Sequence, residues 1–86
     1  MSNEVKLKTI ILLTGNSYIT TLGARSIDIL YNGTVDAVTF TGGIAGSVPI
    51  QIPPGIPYTS EYNDNGYASY TITNGGDADV NIVEKF

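Results

Sequence analysis

Ser26-Ile27-Asp28-Ile29-Leu30-Tyr31-Asn32-Gly33-Thr34-Val35-Asp36-Ala37-Val38-Thr39-Phe40 is two alternating runs joined at an Asn-Gly. Alternation with period two is the mark of a half-buried strand, and Asn-Gly between two such runs is a strong short-range hairpin signal, because both residues tolerate positive φ. The stretch therefore predicts a hairpin. A four-residue loop, Asn32 to Val35, sets Ile27 opposite Phe40 and Ile29 opposite Val38, with Asp28 and Thr39 on the other face. A two-residue turn would put Ile29 against Asp36, so the register chooses the longer loop.

Upstream, Val5-Lys6-Leu7-Lys8-Thr9 alternates and then gives way to the apolar run Ile10 to Leu13. This reads as a strand half-exposed at its start and buried on both sides at its end, with Lys6 and Lys8 as the solvated charges that protect an edge. Gly15-Asn16-Ser17 is a turn, Tyr18 to Leu22 a β-branched strand-like run, and Gly23-Ala24 a break. Met1 to Asn3 reads as a flexible arm.

Downstream, Val48-Pro49-Ile50-Gln51-Ile52 alternates, and Pro49 points to an edge position or a strand's first residues, since proline donates nothing to a ladder. Pro53-Pro54-Gly55 fits a type II turn. A strand resumes from Ile56 to Tyr62, Asn63-Asp64-Asn65-Gly66 reverses the chain, and Tyr67 to Thr73 and Asp77 to Glu84 flank Asn74-Gly75-Gly76. A second hairpin follows, with Tyr70 opposite Val80, Ile72 opposite Ala78 and Ala68 opposite Ile82. No window of ten residues keeps a helical period.

The chain of 86 residues reads as one domain, 1–86: an all-β fold of about eight short strands, a Greek-key or jelly-roll-like sandwich or partly open barrel. A domain this small has a thin stability margin, and without Cys it has no disulfides to widen it. Oligomerisation is the remaining remedy.

Composition excludes much chemistry. Without His or Cys the chain offers no Ser-His-Asp or Cys-His pair and no zinc site of the usual ligands. The pairs Asp77 with Asp79 and Asp28 with Asp36 fall in turns or on outward strand faces, so no catalytic role is assigned and the chain reads as non-enzymatic. Glu61 to Gly66 echoes the start of a calcium loop, but Ile72 stands where the closing carboxylate belongs. Gly42 to Gly46 precedes a strand and carries no Lys, unlike a phosphate loop. No metal or cofactor is expected.

Four basic residues against eight acidic ones, in no basic run, oppose nucleic-acid binding. The apolar run at Ile10 is too short to span a membrane or to serve as a signal peptide, so the expectation is a chain used without secretion by that route. Asn32-Gly33-Thr34 is a formal glycosylation acceptor that reads, on that footing, as a turn.

By type the chain resembles the small β-sandwich virion proteins of tailed bacteriophages, the head-decoration and related structural subunits. The residues that carry the resemblance are Ala24-Arg25-Ser26-Ile27-Asp28-Ile29, the Asn32-Gly33 reversal into Val38-Thr39-Phe40-Thr41-Gly42-Gly43, the strand closing on Ile52-Pro53-Pro54-Gly55, and Asn74-Gly75-Gly76-Asp77-Ala78 before Val80-Asn81-Ile82-Val83. The resemblance implies a structural subunit that binds and stabilises a larger assembly as a capsid decoration or auxiliary protein. It also implies symmetric homo-oligomers, protein partners and a place in the virion after synthesis in the host cytoplasm.

The physical motive agrees: a chain with 42% hydrophobic and only 14% charged residues has apolar surface for a partner to cover. The candidate interaction residues are Tyr58, Tyr62, Tyr67 and Phe86, the last either an anchor in a neighbour or a lid on its own core. A second reading, a carbohydrate- or ligand-binding module, takes Tyr58, Tyr62, Tyr67 and Tyr70 as a platform beside Asn63, Asp64 and Asn65.

Overall fold

The structure is a computed structural model that describes residues 6–21, 23–42, 48–61 and 70–86. The arm 1–3, the Asn63 to Gly66 reversal, most of the glycine-rich segment, Tyr62 and Tyr67 lie outside the described residues. Eight strands follow in order: β1 Leu7–Leu12, β2 Ser17–Ile19, β3 Ser26–Tyr31, β4 Val38–Gly42, β5 Ile50–Gln51, β6 Tyr58–Glu61, β7 Tyr70–Asn74 and β8 Val80–Lys85. There is no helix among the described residues.

The strands form two four-stranded antiparallel sheets, β1-β8-β3-β6 and β2-β7-β4-β5. The pairs β1·β8, β2·β7, β3·β6 and β4·β5 are nested along the chain, each enclosing the next, and the arrangement is compatible with a sandwich.

Alternation decides which side chains meet inside. Ile27, Ile29 and Tyr31 of β3 and Val80 and Ile82 of β8 point inward from one sheet, and Val38 and Phe40 of β4 and Ile72 of β7 from the other. With Leu12, Ala24 and Ile52 they form one buried cluster. Phe40 shows the two layers touching, its ring centroid 5.8 Å from that of Tyr58 on the opposite sheet. Each Ile or Val withdrawn from water stabilises the fold by roughly 1.5–3 kcal/mol.

Both expected hairpins are corrected by this arrangement. β3 and β4 are strands at the expected places, but they lie in different sheets: Ile29 pairs with Ile82 and Tyr58, and Phe40 with Ile72 and Ile50. Likewise Tyr70 pairs with Gly42, and Val80 with Leu12 and Tyr31. Period two identifies the buried face of a strand and says nothing about its neighbour, so a face-to-face sandwich satisfies the same alternation as a side-by-side hairpin. Gly33 stays out of the left-handed region that a tight Asn-Gly turn needs, and residues 32–37 instead carry the chain across from one sheet to the other.

The Ile10 to Leu13 run is a second correction. Leu12 is buried and Ile10 half-buried, but Ile11 and Leu13 are 60% and 54% exposed. β1 is an edge strand, as Lys6 and Lys8 implied, and its odd-numbered face lies in solvent. β5, directly after Pro49, is also an edge as expected, and Gly55 adopts φ +76° in the Pro53-Pro54-Gly55 turn.

Candidate interaction surface

The acidic residues come first, because reactive chemistry in this chain would have to begin with them. The 32–37 and 75–79 connections meet at one end of the sandwich, where Gly75 N donates to Ala37 O at 3.0 Å. Tyr31, fully buried, sends its hydroxyl between them, 2.7 Å from Val35 O and 2.8 Å from Asp77 Oδ1, and accepts from Asp77 N. Glycine is required at Gly76 by this close approach, since a Cβ there would collide with the Tyr31 hydroxyl.

The Asp77 carboxylate also receives the Thr34 hydroxyl, Thr34 N at 2.8 Å and Val35 N at 3.3 Å. These bonds, the Thr34 hydroxyl foremost, hold its pKa far below the usual carboxylate range. Burial pushes the Tyr31 hydroxyl the other way, up from its ordinary value. Beside them buried Asn74 donates to Leu12 O and Ala78 O, both at 2.9 Å, and accepts from Gly76 N. Every one of these groups spends its hydrogen bonds on the fold.

Near the far end of β8, Glu84 points into the sandwich with 0% exposure. Its carboxylate takes the Tyr18 hydroxyl, Thr21 N at 2.8 Å and the Thr21 hydroxyl at 3.1 Å. Lys8, its cross-strand partner, donates to the same Thr21 hydroxyl at 3.2 Å and sits 5.6 Å over the Tyr18 ring. Its ammonium therefore finds protein partners at the mouth of the sandwich, beyond the solvated role expected of it. On the outer face, Asp28 Oδ2 meets Lys85 Nζ at 2.9 Å and Oδ1 accepts from Thr59, which lowers its pKa. Asp36 and Asp79 are exposed. Among the described residues no three acidic side chains gather to hold a metal, and no helix is long and apolar enough to cross a membrane.

The exposed apolar side chains tell more. Leu7, Ile11 and Leu13 are 61%, 60% and 54% exposed and lie on or just after β1. Leu7 and Ile11, with Thr9 between them, stand beside Lys85, Val83 and Asn81 of β8 on the outer face of that sheet. Of the four edge strands, β5 has two residues after Pro49, β6 four after Pro57 and β2 three. Among the described residues, only β1 combines six residues with an apolar outer face.

No family model matches this chain, and no curated protein and no solved structure matches it either.

Of the sequence-predicted residues, Tyr58 is half-buried against Phe40, and Phe86 packs against the core with its N–H donated to Lys6 O at 2.9 Å. Phe86 thus takes the position of a lid on its own sandwich. Tyr70, in the proposed sugar platform, stacks on Phe40 with centroids 5.0 Å apart. The structure brings Tyr58 and Tyr70 together around one core ring, Phe40. Leu7, Ile11 and Leu13 were not singled out in the sequence. The lysines do not find them: by alternation Lys6 and Lys8 share a face with Ile10 and Leu12, the half-buried and buried residues of the strand, and so mark as solvated the face opposite to that of Leu7 and Ile11.

Proposed function

We propose that this chain is a non-enzymatic structural subunit that docks onto other protein subunits, in the manner of an auxiliary or decoration protein of a virion. The observation that carries the reading is the apolar outer side of β1, where Leu7 and Ile11 on the edge strand and Leu13 just after it are each more than half exposed. Apolar surface gathered on an edge, with N–H and C=O groups open beside it, is a template for pairing with another chain. The acidic groups support the same reading, since Asp77 and Glu84 are taken up in holding loops and sheets together. The sugar-platform reading loses force because Tyr58 and Tyr70 spend their rings on Phe40.

Solution mass by light scattering across a concentration series is the test. A defined oligomer or larger particle, several times the 9.1 kDa chain, is the expected result. A monomer at every concentration, with no uptake by a candidate shell of virion subunits, would overturn the reading.

A further inference from the structure

We infer that β1 is an isologous interface: two copies of this chain join their β1 strands antiparallel about Thr9, making one continuous eight-stranded sheet across a twofold axis. This rests on the structural-subunit reading and names its first partner, a second copy.

The argument starts with hydrogen-bond parity. Phe86 N donates to Lys6 O at 2.9 Å, and Arg25 N to Lys85 O at 2.7 Å. Along an antiparallel strand, successive residues turn their N–H and C=O to opposite sides. The even-numbered residues of β8 thus face β1 and its odd-numbered ones face β3. In the β1·β8 register, Lys8 lies opposite Glu84 and Ile10 opposite Ile82, so the even residues of β1 are the ones bonded to β8. Leu7, Thr9 and Ile11 are left with N–H and C=O pointing out from the sheet edge. These same residues carry their side chains on the outer face.

Parity permits only certain self-pairings, and the side chains choose among them. Centred on Thr9, the two strands set Leu7 against Ile11 of the second copy, Thr9 against Thr9, and Ile11 against Leu7. Two apolar pairs flank a Thr–Thr pair, and all three free backbone positions enter the ladder. Lys8 then lies opposite Ile10 and Lys6 opposite Leu12, so no lysine meets another across the axis.

The neighbouring alternatives fare worse. Pairing centred on Lys8 would place like charges directly opposite. Pairing centred on Ile10 would call on Leu13, whose carbonyl already accepts from Asn16 N at 3.1 Å. A strand whose flanks complement each other about one residue is suited to its own copy, which an edge selected only to repel partners would not be. The other three edges are shorter, and two of them start directly after a proline.

The test is equilibrium sedimentation of the intact chain and four variants. Thr9→Pro removes the central outward N–H without touching a bond to β8, and Leu7→Lys and Ile11→Glu each put a charge opposite an aliphatic partner. Each is expected to raise the dimer dissociation constant at least tenfold. Combining Leu7→Lys with Ile11→Glu pairs opposite charges twice across the axis and is expected to recover most of the loss. Within one chain those two positions are four residues apart on a strand, out of contact, so recovery reports on the register between copies. If Thr9→Pro unfolds the chain, the exposed Leu7 and Ile11 variants still decide. An oligomer that survives all single variants overturns the β1 interface and leaves the subunit reading standing. A wild-type chain that is monomeric throughout overturns the β1 interface, and the subunit reading falls with it only when a shell of virion subunits also fails to take the chain up.

Discussion

Asp77 and Glu84 sit near opposite ends of the sandwich and are held by the same three kinds of donor: a tyrosine hydroxyl, a threonine N–H and that threonine's hydroxyl. Asp77 lies in an exposed connection and ties 32–37 to 75–79. Glu84 is wholly buried and ties β8 of one sheet to the segment after β2 of the other. The difference is solvent. Where water reaches the carboxylate, the donors add rigidity to a group that would be hydrated anyway. Where water is excluded, the donors are the condition for having a carboxylate there at all.

The largest expected effect comes from placing a carboxylate inside with no donors. Ile29→Asp puts one at a fully buried position on the inward row of β3, and should abolish folding, a loss of about 4 kcal/mol or more in a small domain. A native circular dichroism spectrum and a cooperative thermal transition for this variant would show that donors are not what admits Glu84.

Glu84→Gln comes next. It keeps the shape but turns an N–H₂ towards donors, and should cost about 2–3 kcal/mol, lowering Tm by roughly 10–15 °C in thermal unfolding. Glu84→Leu separates charge from burial further, since it leaves Thr21 N unanswered and is not expected to restore the wild-type Tm.

Asp77→Asn should lower Tm less, by about 5 °C. Its diagnostic is pH. A carboxylate whose folded pKa is depressed contributes stability that is fully present above its unfolded value, about 3.9, and is lost as pH falls towards the folded one. Wild-type Tm should therefore fall on acidification below about pH 4, and Asp77→Asn should show a shallower fall over the same window. Identical acid profiles for the two proteins would sink the assignment.

The smallest effect belongs to Asp28→Asn. The Asp28–Lys85 pair is exposed on the outer sheet face, with side chains 37% and 42% accessible, so the change should stay within about 0.5 kcal/mol by chemical denaturation. A larger loss would mean that the outer face is less solvated than its accessibility indicates.

The positions of the strands were legible in the sequence because turn residues punctuate them. Gly15, Gly23, Pro49 and Pro53-Pro54-Gly55 each fall in a connection between strands. The buried face of β3, β4 and β8 was legible from alternation. What could not be read was which strand lies beside which, since Ile27, Ile29, Val38 and Phe40 meet the same demand from opposite sheets. The two held carboxylates were hidden for a related reason: Thr34 lies 43 residues from Asp77, and Thr21 and Tyr18 lie 63 and 66 from Glu84. Nothing local in Asp77-Ala78-Asp79 or Val83-Glu84-Lys85 distinguishes them from solvated charges. The run Ile10 to Leu13 misled in the opposite direction, because apolar residues left facing solvent look in sequence like apolar residues facing the core.

The nested pairing also sets an order of events for a chain finding this shape. Representative partners are Phe40 with Ile50, Ile29 with Tyr58, Tyr18 with Ile72 and Ile10 with Ile82, each pair enclosing the one before it. Closing a loop costs more entropy the longer it is, and each closed pair shortens the way to the next, so the ladder zips from the middle outward. β1 then docks last. Until it does, β8 presents an open edge of its own, and at high concentration the β1 of a second nascent chain can occupy it, so strand exchange is the misassembly this molecule invites.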